Sequence, residues 1–199
     1  MNPIVRGFKS LLKFNGRDRA GQFWPYAGVV IAITMVLGVV VVVPGIVSAV
    51  EQAAVFAEAN PDKAVVHRTP TSVRVEIRDA TGMPPMDMSF AKWMAVPAGA
   101  LVLLLAAAVT RRLHDRNLSG AIGLVPVVAG GIYLFLWFKV MNLMLAEAAG
   151  QGEMNGAFAG LFLTAMLTCL LYLASAAILI VLLCLKGKAG PNRYGPEPA

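Results

Sequence analysis

Four stretches of this chain, 23–50, 93–110, 120–138 and 154–185, carry no charged side chain. An α-helix rises about 1.5 Å per residue, so each is long enough to cross roughly 30 Å of hydrocarbon. A 199-residue chain cannot bury four such segments against one another, so lipid replaces water around most of them. The pattern predicts an all-α polytopic membrane protein with four transmembrane helices, at 23–50, 93–110, 120–146 and 157–185. The first stretch is far longer than the roughly 7–15 apolar residues of a signal peptide and is read as a retained span.

The segments between the spans follow other periods. Ile4, Val5, Phe8, Leu11 and Leu12 share one helical face while Arg6, Lys9, Ser10 and Lys13 fall elsewhere. This spacing predicts a short amphipathic amino-terminal helix lying in the headgroup plane, with Asn15-Gly16 as its C-cap. Phe23, Trp24 and Tyr26 supply an interfacial aromatic anchor. Beyond span one, Glu51–Glu58 continues the helix until Asn60-Pro61 stops it. Val73-Arg74-Val75-Glu76-Ile77-Arg78 then alternates as a strand does, and Val65-Val66 across Thr69-Pro70 completes a small extracytoplasmic β-hairpin. Pro44, Pro97 and Pro126 predict kinked spans, and Gly156 with Gly160 forms a small-xxx-small helix face.

Composition sharpens this picture. The chain is 58% hydrophobic and 14% charged, with a mean hydropathy of +0.70. Its net charge of +6 is distributed by side. With the amino terminus inside, segments 1–22, 111–119 and 186–199 hold eleven Lys or Arg against three acids, a net of +8. The outer segments hold five against eight, a net of −3, and Lys139 within span three supplies the remaining charge. Basic loops resist translocation, so both termini are expected on the cytoplasmic side. The basic balance then reflects orientation and attraction to anionic lipid, and no nucleic-acid partner is expected.

Lys139 lies about 27 Å along its helix from Ala121, close enough to the outer interface to snorkel. Cys169 and Cys184 are fifteen residues apart on one span, about 22 Å of rise, which excludes a disulfide between them. Met83, Met86 and Met88 offer thioethers of the kind that suit Cu(I), although an extended linker accounts for them more simply. No cofactor or metal site is expected. There is no Gly-rich phosphate loop, zinc-ligand spacing or nucleophile elbow, so no catalytic residue is assigned and the chain is read as a non-enzyme.

Polar residues concentrate on the inner side. In Arg111-Arg112-Leu113-His114-Asp115-Arg116, Arg111 and Asp115 are four apart and Arg112 and Asp115 three apart, which makes a local ion pair available. Asn117 ends that helix and Ser119 caps the next. Gly16-Arg17-Asp18-Arg19 with Phe23-Trp24, Arg111–Asp115 with Ser119-Gly120, and Gly190-Pro191-Asn192-Arg193-Tyr194-Gly195-Pro196 together resemble the signature segments of the YhaH-like small bacterial inner-membrane proteins, the domain of unknown function 805 family. The resemblance implies an inner-membrane location and brings no activity, substrate or cofactor. This chain departs from the pattern at Ala121-Ile122, where the family often has two tryptophans, in its long loop 51–92, and in an extra span before the tail motif.

The candidate lipid-headgroup or partner-binding residues are therefore Arg17, Asp18, Arg19, Arg111, Arg112, His114, Asp115 and Arg193. Arginine offers bidentate donors to phosphate, and His114 titrates near neutrality when unperturbed. The competing reading of the same residues is an ion-pair network that fixes the helix ends. The function expected is a non-enzymatic membrane component whose basic cytoplasmic face engages anionic headgroups or a partner protein, itself a further copy or another membrane chain. A small-solute transporter or channel subunit is the alternative, suggested by kinked, glycine-containing spans.

Overall fold

The computed structural model describes residues 2–84, 92–148 and 156–198. Helix α1, Pro3–Lys9, opens with the Asn2 side chain accepting the Ile4 N–H at 2.9 Å, and proline stands at its first position. It closes at Ser10, short of the dozen residues whose spacing predicts it. The backbone turns there because the carbonyls of Ser10 and Lys13 are both drawn to the Arg111 guanidinium. Gly16 is not its C-cap; it takes φ +96° in the connection that follows.

Four long helices come next: α2, Ala20–Ala59; α3, Ala95–Asp115; α4, Leu124–Ala148; and α5, Gly156–Cys184. Each is long and apolar enough to cross a membrane. Their 40, 21, 25 and 29 residues reproduce the four expected spans. At about 60 Å, α2 far exceeds the roughly 30 Å of a bilayer core, and it continues through Glu51–Glu58 as the sequence predicts. Asn60 finishes it, its side-chain amide donating to the Phe56 carbonyl at 2.9 Å. The α3–α4 connection also follows the sequence. Asn117 reverses the chain at φ +62°, and the Ser119 hydroxyl caps the 3-10 turn Gly120–Gly123 by accepting the Ala121 N–H.

The chain divides into two compact units. The first comprises Met1–Leu37, Val96–Leu134 and Met166–Ala199. Its core joins Phe23, Tyr26 and Val30 of α2 to Ala108 and Leu113 of α3 and Leu183 of α5. Tyr26 is its pivot. The hydroxyl donates to the Leu104 carbonyl at 2.7 Å, the Phe8 ring meets it edge-on at 5.2 Å, and Gly7 lies against its face with no room for a β-carbon. The amphipathic helix therefore packs on the bundle through Phe8 and Gly7, while Val5 and Leu12 stay exposed. Outside this core the helix surfaces are apolar, with Val36, Leu103, Leu170 and Ile178 among many large exposed side chains, as a lipid-solvated surface requires.

The second unit comprises Gly38–Ala95 and Phe135–Ala165. Strands β1, Ala64–Thr69, and β2, Ser72–Ile77, pair antiparallel from Ala64↔Ile77 to Thr69↔Ser72. A two-stranded hairpin is marginal alone, and this one rests on the end of α2. Ala53, Phe56 and Ala57 pack with Ala64 and Met83, flanked by Val66 and Val75. Of the thioether cluster, Met83 belongs to this small core, while Met86 and Met88 lie outside the described residues. Lys139 is exposed, its ammonium 4.9 Å from the Phe135 ring centre. Gly156 and Gly160 face open space.

Candidate functional site

The eight candidate residues all belong to the first unit; five of them, Arg17, Asp18, Arg111, Arg112 and Asp115, meet through direct contacts, and His114 and Arg193 are joined to each other through Tyr194. Arg111 and Arg112 come from the last turn of α3, Arg17 and Asp18 from the segment between α1 and α2, and a loop at 186–196 follows α5. Arg17, Asp18, Arg111, Arg112 and Asp115 are all buried, with Arg112 fully so. Isolated charges cannot be buried at this depth; they persist only when paired and hydrogen-bonded.

The pairing is complete and crosses the segments. Arg112 donates to Asp115 Oδ2 at 2.6 Å, the three-apart pair that the helix makes available. Arg111 bypasses Asp115 and donates through Nε to Asp18 Oδ2 at 2.7 Å, with Arg6 on the other carboxylate oxygen at 2.9 Å. Asp115 takes Arg17 instead, whose Nε reaches Oδ1 at 3.1 Å. One carboxylate thus holds Arg17 and Arg112, and the other holds Arg6 and Arg111.

Three buried guanidinium groups face two carboxylates, and backbone carbonyls offset the surplus. The remaining Arg112 nitrogens take the carbonyls of Leu183 and Leu185 at 2.9 and 2.6 Å. These are carbonyls at the carboxyl end of α5, where the macrodipole is negative and intrahelical donors have run out. Arg17 clasps the tail, donating to Lys188 O at 2.5 Å and Gly190 O at 2.7 Å. Asp115 returns the contact through its own carbonyl, which accepts the Lys188 N–H at 2.9 Å. Gly187 passes so close to the Asp115 carboxylate that a β-carbon would overlap it.

The tail motif builds the outer layer. Gly190 and Gly195 have φ of +73° and +129°, conformations that favour glycine, and they close a loop bridged between Asn192 and Gly195. Asn192 accepts the Tyr194 N–H with its side-chain oxygen and donates its amide to the His114 carbonyl, both at 2.9 Å. Tyr194 then stacks flat on His114 with centroids 3.7 Å apart, and the Arg193 guanidinium lies over the Tyr194 ring at 4.7 Å while donating to Asn117 O. Arg19 stands apart from the buried set; it is exposed and meets Glu197 at 3.3 Å. Glu197 also accepts the Gly190 N–H at 2.8 Å, and that hydrogen bond, with Arg19 and Arg17 nearby, holds its carboxyl below the ordinary value.

Sequence spacing identifies seven members of this assembly and the single local pair. It misses Arg6, Gly187, Asn192 and Tyr194 as participants. The last two sit inside the quoted tail motif, where an asparagine and a tyrosine between two glycines mark an ordered loop; Arg6 and Gly187 carry no such signal. Among the described residues no group of three or more His, Cys, Asp or Glu is placed to hold a metal ion.

Four long apolar helices, closed at one face by a buried guanidinium–carboxylate network, define a multi-pass helical membrane protein. The chain belongs to the DUF805 family, described as a protein of unknown function, whose model matches residues 11–196. No curated protein and no solved structure matches it.

Proposed function

We propose that this protein is a non-enzymatic component of a bacterial inner membrane, with both termini cytoplasmic, whose basic face binds anionic lipid headgroups. One observation carries the reading: three segments remote in sequence are fastened into one face, and they bear a common set of exposed cations. Lys9, Lys13, Arg19, Lys186, Lys188 and Arg193 are all exposed, whereas Arg17, Arg111 and Arg112 are spent on the protein itself. The roles of the candidate arginines divide accordingly. The buried ones hold the face together, and the exposed ones meet the ligand. A cation near an anionic leaflet contributes about 1 kcal/mol, so several together favour anionic over zwitterionic lipid. The same rim suits an acidic partner protein, and lipid is preferred because the rim borders apolar spans.

The transporter alternative has less support. Apart from Thr34 and Tyr26, whose hydroxyls donate to the Val30 and Leu104 carbonyls at 2.9 and 2.7 Å, the buried polar side chains among the described residues belong to the network. The test is lipid retention by the full-length protein from mixed phosphatidylglycerol and phosphatidylcholine nanodiscs. Neutralising Lys9, Lys13, Lys186 and Lys188 to Gln is expected to abolish enrichment of phosphatidylglycerol while leaving the unfolding temperature unchanged. Undiminished enrichment in that variant would overturn the proposal.

A further inference from the structure

An apolar recess of about 580 Å³ lies within the first unit, beside the buried ion pairs. Its walls are Leu101, Leu105 and Val109 of α3, Leu124 and Val127 of α4, and Leu179 of α5. Its volume falls in the roughly 300–1,000 Å³ range of pockets that enclose a single ligand. We infer that it holds one acyl chain of a phospholipid whose anionic headgroup rests on the basic rim; the headgroup half of this assignment rests on the function proposed above.

Three features select that occupant. The first is depth. From Leu101 to Thr110 the recess follows nine residues of α3, about 13 Å of rise, close to half of a roughly 30 Å hydrocarbon core and so to the reach of one leaflet's chains. The second is polarity, which is confined to one end. Thr110 and His114 are the polar side chains of the lining, and both stand in the final turns of α3. The third is charge at that same end. Phe14 lines the recess directly after the exposed Lys13, and His114 carries Tyr194 stacked on it at 3.7 Å, with Arg193 stacked in turn at 4.7 Å. An apolar slot one leaflet deep, with cations at its polar end, matches a charged amphiphile aligned with the helices. A solute lacking a chain would leave the apolar walls unfilled.

The closeness of α3 to the following turn shapes the slot. A β-carbon at Gly120 would collide with the Thr110 side chain, and one at Gly123 would lie 3.0 Å from Val109 Cγ1. The two backbones therefore approach at the headgroup end, and the larger side chains that follow leave a gap between them.

The test uses the full-length protein in nanodiscs containing phosphatidylglycerol or phosphatidylcholine with a photoreactive group in one acyl chain. Cross-links are mapped by peptide mass spectrometry, and retained lipid is counted by native mass spectrometry. The expected result is one retained phosphatidylglycerol, with cross-links concentrated on 101–110 and 121–127. Val127→Trp, at a half-exposed wall position, is expected to lower that cross-linking about tenfold. Ala106→Phe, on the α3 side of the lining, provides an independent filling variant should either one fold poorly. Cross-links spread evenly over exposed helix faces, or unchanged in both filled variants, would overturn the recess while leaving the basic-face reading intact. Equal retention of both lipids with recess-specific cross-links would instead overturn the headgroup assignment and the proposed function with it. A lipid-free dimer protected at the same peptides would overturn the assignment in favour of a helix interface.

Discussion

Asp115 joins two of the buried guanidinium groups to the carboxyl-terminal tail. It is 2% exposed, receives Arg17 and Arg112 on its carboxylate, and receives the tail through its carbonyl. Removing one partner of a buried ion pair leaves uncompensated charge and costs about 3–5 kcal/mol, whereas an exposed pair contributes little. Asp115→Ala is therefore expected to lower the unfolding free energy in detergent by about 3–5 kcal/mol. Arg19→Ala, which breaks only the exposed contact with Glu197, is expected to leave the unfolding curve in place. Equal effects from the two substitutions would show that burial is not what makes the network strong. What was legible at this scale depended on chain distance. Arg112 and Asp115 share a helix turn, so their pairing follows from helical geometry alone. Arg111 with Asp18 and Arg17 with Asp115 join residues 93 and 98 apart, and nothing in their local spacing selects those partners over the nearer alternative.

Among the elements, the spans, the α2 extension, the Asn117–Ser119 reversal and the hairpin follow from hydrophobic runs, alternation and capping residues. These are local signals, and local physics suffices for them. The exception is α1, whose apolar spacing continues past the point where the helix ends. Its last expected turn is given up to tertiary hydrogen bonds, with the Ser10 and Lys13 carbonyls serving Arg111 in place of the helix ladder. The tail is the other element that sequence leaves underdetermined, because its order comes from docking. Its Glu197 clasp gives it a pH dependence of definite sign. The folded-state carboxyl lies below its ordinary value of 4.5, so its contribution is present above that value and is lost as pH falls through the folded one. Proteolysis at Arg193 is expected to stay constant from neutrality down to about pH 5 and to accelerate in more acid solution. Glu197→Gln should remove that acid step, and an identical acid step in the variant would assign it to another group.

For the molecule as a whole, the network converts four helix ends and two chain ends into one body at one face. α3 reaches α5 through Arg112, the amino-terminal segment through Arg111, and the tail through Asp115. The proposed engagement of lipid depends on this, since the network, together with the packing of Phe8 and Gly7 on Tyr26, holds the segments that bear the exposed cations in register. The most direct measurement is amide hydrogen exchange of the full-length protein in lipid nanodiscs, comparing the unaltered chain with Asp115→Asn. A single coupled body predicts that exchange rises together at residues 8–18, at 111–118 and at 186–196. A rise confined to 111–118, with both remote segments as protected as before, would contradict it.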